Sequence, residues 1–401
     1  MADSLLDATK YKGKKKRLQI EGWRGISHSF AMVNQHQILA LMRAGLLEIY
    51  HRDLPFFMPH WNVNSNSAGF DAKDTQLINS LSELDDSEPD FYYQICFPFP
   101  IPRIPSAKTL TFMVTELGLD ANSLKYPDIP LSAYTNDENL VVTPSRWSRD
   151  RLIDFGLDEA SVSVVPHGVD GSVFCPVPAD ERVNLRKNLG IEIDTTVFLN
   201  VGAPLWNKGI DLLLLAYART HKLNSNTRLI IKDGSQLYGF SLQSAMGNFA
   251  KEYPDLVSQT FLDSISIVST NLSQIQLAQL YAVCDCYVSP YRAEGFNLPV
   301  LEALSCGKQI IVSSGGSTDD FCRGAAVRRI PSALKRGPVG DHNSACWIEP
   351  DMAALVNLMH DIVIQGPHDD LEKAASEQAQ LYSWDSVAKK LIKLYYSQNK
   401  N

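Results

Sequence analysis

With 401 residues, 45% of them hydrophobic and 20% charged, the chain has a globular balance and is longer than one ordinary core serves, so two domains are expected. A formal net charge of −8 excludes general nucleic-acid binding through a basic surface. Seven scattered cysteines point to a reduced, cytoplasmic protein rather than a disulfide framework, and no eighteen-residue apolar run or apolar leader is present, so neither a membrane span nor a secretory signal is expected.

Residues 10–17 (KYKGKKKR) form a basic run with two readings, a solvated leader or a peripheral contact with anionic lipid at about 1 kcal/mol per basic residue. A strand is expected over 18–20. In the following stretch, 21–45, Gly22 and Gly25 make a tight strand-to-helix turn, and Phe30, Val33, Ile38, Leu41 and Met42 recur at helical spacing within 27–44. Such a turn admits a phosphate or a sugar closely, but it is not GxGxxG, so a dinucleotide-binding reading is weak.

Strands over 46–50, 91–97, 109–114, 140–143 and 161–165 alternate with helical or loop segments, the pattern of a parallel sheet built from βαβ units. Residues 62–90 are polar with a weak helix near 75–81, and 97–105 (FPFPIPRIP) is an extended loop. Thr115 and Glu116 follow the strand over 109–114. Glu116 reads either as a carboxylate facing a cleft or as a solvated loop residue. In 143–156 a helix starts at Ser145, with Arg146 toward a cleft and Trp147 packing. VVPHGVD (164–170) closes the first domain, His167 and Gly168 reading first as hinge geometry, and 174–180 reads as the linker.

The second domain opens with a helix over 181–189 and a strand over 196–201. In NVGAPLWNKGIDLLLLAY (200–217), Lys208 precedes a glycine and a helix, where a phosphate contact is favoured. Lys232, in LIIKDGS (229–235), is either a strand-end surface lysine or a second cation. Further strands are expected over 259–262, 284–289, 309–312 and 346–348, and helices over 352–365, 369–382 and 385–396. Cys284 and Cys286 form CxC without a second pair at metal spacing, and no metal site is expected.

The stretch the rest is organised around is YRAEGFNLPVLEALSCG, 291–307. Pro299 suits the first position of a helix and Gly307 the residue past its end, which gives a loop over 291–297 and a helix over 298–306. Glu294 on the loop and Glu302 near the helix start can point into one cavity. The N–H groups of Phe296, Asn297 and Leu298 are then donors for a diphosphate. Amides for an anion beside two carboxylates for hydroxyls match the chemistry of a nucleotide-sugar.

This stretch resembles the E-x7-E signature of glycosyltransferase family 4, retaining enzymes of the GT-B fold. The family pattern is close to EGFGLPxLEAMACG, and Asn297 stands here in place of its second glycine. The resemblance implies an α/β protein of two Rossmann-like domains facing across a cleft, with a C-terminal helix crossing back to the first. Residues 1–174 and about 384–401 would bind the acceptor, and 175–383 the donor. It also implies a metal-independent hexosyltransferase of polysaccharide biosynthesis, moving a hexose from a UDP- or GDP-linked donor to a saccharide, lipid-linked or other hydroxyl acceptor without a cofactor. A cytoplasmic enzyme at the inner membrane face would use the basic run. Carried onto this sequence, Glu294 and Glu116 are catalytic. Lys208, Lys232, Phe296, Asn297, Leu298, Glu302, Gly22 and Gly25 contact the donor, and His28, Arg146 and His167 lie on the acceptor side. Relatives often read VGRxxxxKG where this chain has Ala203 in place of the arginine, and no D-x-D triplet is present. A nucleotide-sugar-binding protein without turnover, or a GT-B epimerase, is the alternative.

Overall fold

A computed structural model describes residues 14–65, 67–85, 87–104, 107–136, 138–340, 342–366 and 369–397; residues 10–13 of the basic run lie outside them. The alternation of strands and helices resolves into two units, Met1–Gly168 with Ser383–Asn401, and Val169–Tyr382.

The first unit holds six parallel strands: β1 (Lys16–Gly22), β2 (Leu47–Asp53), β3 (Phe91–Ile95), β4 (Lys108–Phe112), β5 (Asn139–Thr143) and β6 (Val162–Val164). Their order is β2-β1-β3-β4-β5-β6, so the direction of winding reverses between β1 and β3. Part of the basic run is consumed here, because Lys16 and the Arg17 amide both bind the Asp90 carboxylate at 2.8 Å. Helix Ser29–Ala44 carries buried polar residues among its apolar ones. Asn34 donates to the Trp23 carbonyl at 2.9 Å, and the Gln35 side chain accepts from the Gly25 amide at 2.9 Å, so the helix clamps the glycine turn that precedes it.

The last helix, Trp384–Tyr396, belongs to this unit, as expected for a helix that crosses back. Trp384 stacks on His36 with centroids 4.7 Å apart, and the Tyr395 hydroxyl donates to the Tyr92 carbonyl at 2.9 Å. A Cβ on Gly168 would lie 2.3 Å from the Trp384 nitrogen. That close approach requires a glycine here.

The second unit repeats the plan with β7 (Thr196–Val201), β8 (Thr227–Lys232), β9 (Ile265–Val268), β10 (Cys286–Ser289), β11 (Gln309–Ser313) and β12 (Val327–Ile330), in the order β12-β11-β10-β7-β8-β9. Winding reverses between β7 and β10. Helix Ile210–Leu223 fills the core beside them, with Leu213, Leu214, Ala216 and Tyr217 buried against Phe198, Leu229 and Val288.

One expected strand is corrected here. Residues 259–262 are not a strand but lie in helix Gln259–Asp263. The Ser258 hydroxyl accepts from the Phe261 amide at 3.1 Å and caps it, and a short apolar run leaves the choice between helix and strand to such a cap. Residues 346–348 form a strand as expected, outside the parallel sheet. They belong to β14 (His342–Pro350), which pairs antiparallel with β13 (Ser332–Val339) as a separate hairpin.

Candidate functional site

β7 and β10 are neighbours in register, Phe198 opposite Cys286 and Leu199 opposite Tyr287, so the loops that leave their C-terminal ends emerge side by side. In an open parallel sheet the crevice at such a reversal is where ligands bind. The two loops are 202–209, which carries Lys208, and 290–297, which carries Glu294.

Backbone contacts join them. The amides of Arg292 and Ala293 both donate to the Asn207 carbonyl, at 2.7 and 3.1 Å, and the Asn207 side chain donates back to the Ala293 carbonyl at 3.3 Å. Gly209 has φ +72, and a Cβ there would lie 2.0 Å from the Pro290 carbonyl oxygen. The junction is further pinned by Arg292. Its guanidinium binds Asp211 at 2.7 and 2.8 Å, Glu349 of β14 at 3.0 Å and the Trp206 carbonyl at 2.9 Å. Within this frame the Lys208 Nζ lies 2.6 Å from Glu294 Oε2, so a charge expected for an anion and one expected for hydroxyls meet as a largely buried ion pair.

Helix Leu298–Ser305 follows directly. Asn297 precedes it at φ 76, ψ 66, the one positive φ outside glycine among the described residues. Asparagine tolerates this left-handed conformation, and its side chain donates to Ser289 Oγ at 3.0 Å, back to the end of β10. This is why asparagine can stand where the family pattern has glycine. Asn297→Ala should destabilise the chain by about 1–2 kcal/mol, and Asn297→Gly by less, because alanine keeps the strain and loses the hydrogen bond whereas glycine removes the strain. Urea denaturation of the two variants checks the order.

Pro299 is the second helical residue rather than the first, and Gly307 follows the Cys306 cap at φ 75. The amides of Asn297 and Leu298 have no hydrogen-bond acceptor among the described residues, as expected of a helix start. The Phe296 ring stacks on Phe321 at 4.5 Å and 23°. Glu302 is the fifth helical residue, not in the first turn. Its Oε2 accepts from the Tyr281 hydroxyl at 2.8 Å. Burial pushes its carboxyl up to about 7, and the Tyr281 hydrogen bond opposes that rise.

Lys232 closes β8. Its carbonyl accepts from the Gly202 amide at 3.0 Å and so holds the start of the first loop, while its Nζ donates to the Asp233 carbonyl at 2.5 Å. Burial lowers the pKa of this ammonium.

The candidates of the first unit all follow the C-terminal ends of its strands. Gly22 ends β1, and a Cβ on it would meet the Ile95 carbonyl oxygen at 2.7 Å. Gly25 sits in the turn at φ +83 with its amide already given to Gln35. His28 caps helix Ser29–Ala44 through Nδ1, 3.3 Å from the Phe30 amide, and lies against Trp23, Phe30 and Trp61. Burial lowers its pKa to about 4. His167, after β6, lies between the rings of Phe112 and Trp384, and burial lowers it to about 3. Both imidazoles are therefore neutral near pH 7 and built into packing. Glu116 is half-buried and its carbonyl accepts from the Trp147 indole at 2.8 Å; Arg146 is exposed at the start of helix Arg146–Phe155. Sequence reasoning missed Asn207, Arg292 and Tyr281, whose contacts are long-range and leave no local pattern.

Residues 181–325 match the family model of glycosyl transferases group 1. The chain is 28% identical over 256 residues to a D-inositol 3-phosphate glycosyltransferase of Kineococcus radiotolerans, a match covering 62% of this chain and 54% of that protein. The chain thus spans little more than half the length of that curated relative. Among solved structures, a glycosyltransferase from Rickettsia africae ESF-5 has a TM-score of 0.66 at 14% identity, covering 96% of this chain and 98% of that one. HepE from Anabaena, solved in complex with UDP-glucose, has a TM-score of 0.64 at 12% identity, covering 96% of this chain and 100% of its own. These likenesses show a shared GT-B fold.

Proposed function

We propose that this chain is a group 1 glycosyltransferase of GT-B fold that moves a hexose from a UDP- or GDP-linked donor to a hydroxyl of a saccharide or lipid-linked acceptor. The reading carries retention of anomeric configuration and no metal. The observation that supports it most is the Lys208–Glu294 pair, held at 2.6 Å where the winding of the second sheet reverses. Donor binding exchanges partners: the diphosphate takes the Lys208 ammonium and the amides of Phe296, Asn297 and Leu298, and Glu294 turns to the hexose hydroxyls. Glu302 accepts from the ribose hydroxyls.

As the acceptor oxygen attacks the anomeric carbon, the bond from that carbon to the phosphate oxygen breaks, and the lysine and amides meet the charge that develops there. The attack comes on the face the nucleotide leaves, so no protein nucleophile is used. Glu116 orients the acceptor hydroxyl or takes its proton, with Arg146 beside the acceptor. His28 and His167, neutral and packed, keep the shape of that side, as Gly22 and Gly25 do. Lys232 stands in for the cation that Ala203 does not supply.

The test is incubation of the whole chain with UDP-glucose, GDP-mannose and related donors, with free nucleotide followed with and without oligosaccharide or lipid-linked acceptors. Slow release from one donor, accelerated by an acceptor and giving a product of retained configuration by NMR, is expected. Binding without release under every acceptor condition would instead make this a nucleotide-sugar-binding protein.

A further inference from the structure

Tyr281 lies near the end of helix Gln274–Val283, seventeen residues upstream of the helix that carries Glu302, and is fully buried. Its ring meets Phe174 at 6.0 Å and Tyr287 at 5.9 Å, and its hydroxyl donates to Glu302 Oε2 at 2.8 Å. Tyr287 in turn reaches the other loop, since its hydroxyl donates to the Val201 carbonyl at 3.2 Å, where β7 ends.

Glu302 has no cation paired with it among the described residues. The titratable groups facing it are Tyr281, Tyr287 and Cys306, all buried and all held above their ordinary pKa by burial, hence neutral. A carboxylate in such surroundings is favoured in its neutral form and is free to turn. One hydroxyl donor on Oε2 counters both tendencies. It favours the charged form and fixes the plane of the group.

We propose that Tyr281 is a positioning residue that orients the Glu302 carboxylate and keeps it ionised for the ribose hydroxyls of a nucleoside-diphosphate sugar. The inference rests on the reading of Glu302 as the ribose contact. Tyr281 itself touches no substrate. Its hydroxyl sets the range of pH over which Glu302 accepts two hydrogen bonds.

The experiment compares the full chain with Tyr281→Phe, Glu302→Gln and the double variant. The titration of Glu302 is followed by NMR of glutamate labelled with 13C at the carboxyl, its resonance assigned by its loss in Glu302→Gln. Tyr281→Phe should move the midpoint upward by about one pH unit, since a hydrogen bond to the charged form is lost. Affinity is measured by calorimetry with UDP-glucose or GDP-mannose, whichever the unsubstituted chain binds. At pH 7 Tyr281→Phe should weaken it about tenfold, with partial recovery by pH 9 as Glu302 ionises again.

In the Glu302→Gln background the same change should have little further effect, which a merely structural tyrosine would not produce. Phenylalanine keeps the ring contacts, and thermal melts of all four proteins control for folding. An unmoved midpoint overturns the inference. A moved midpoint with unchanged affinity overturns the ribose reading beneath it, and the positioning role with it.

Discussion

A Lys208→Ala chain is expected to release product from its nucleotide-sugar donor a hundred- to a thousandfold more slowly, the usual consequence of removing one charge-stabilising donor from a transfer site. Two effects act together. The diphosphate loses the ammonium that neutralises it as it leaves, and Glu294, whose side chain is only 11% exposed, keeps a carboxylate beside an arriving anion. Lys208→Arg should recover little, because a planar fork does not replace a compact point charge 2.6 Å from Glu294. Glu294→Gln should fall between, since it relieves the repulsion but gives up a strong acceptor. Removing one partner of a largely buried pair also lowers the melting temperature, so rates are compared well below the melts of both proteins, which separates turnover from folding. The measurement is the rate of nucleotide release at saturating UDP-glucose or GDP-mannose with acceptor present. A rate within a few-fold of the unsubstituted chain would remove Lys208 from the mechanism.

Gly209→Ala should be the most damaging single methyl in the second unit. The backbone at φ +72 costs an alanine about 1–2 kcal/mol. Separately, the added carbon would lie 2.0 Å from the Pro290 oxygen and 2.8 Å from its carbonyl carbon. That neighbour is backbone just past β10, pinned on both sides, so it cannot swing away as a side chain would. Overpacking against such a wall costs roughly another 1–3 kcal/mol or more. The sum, about 2–5 kcal/mol, corresponds to a melting temperature lower by about 10 °C for a unit of this size. Gly190→Ala is the internal comparison: its φ is +64, but nothing lies within 4 Å of the added carbon, so only the conformational cost of about 1–2 kcal/mol remains. Calorimetric melts of both variants give the two contributions separately. Equal losses at the two positions would show that the Pro290 contact carries no weight.

Much of this molecule is written in local pattern. Apolar runs such as VVT before Pro144 or LIIK before Asp233, each followed by a loop and a helix, are enough to specify doubly wound parallel sheets, because a strand buried on both faces must be apolar throughout. The loop and helix of 291–307 were legible for the same reason: a glycine past the helix end, a proline near its start and two spaced carboxylates are short-range chemistry. Where local pattern was ambiguous the reading failed, as at 259–262, where one serine cap decides for helix; at 346–348 the strand was legible, but its partner, a hairpin neighbour outside the sheet, was not.

Sequence by itself determined the alternation of elements, the candidate carboxylates and the lysine, since each rests on residue type and spacing along a few turns of chain. Only tertiary structure decided that Lys208 and Glu294 meet, that Tyr281 holds Glu302, that Arg292 braces both loops, and that His28 and His167 are neutral packing residues. Those outcomes depend on which strands lie side by side and on how deeply a group is buried. Both are set by the order of strands in the sheet, and no window of neighbouring residues contains that order.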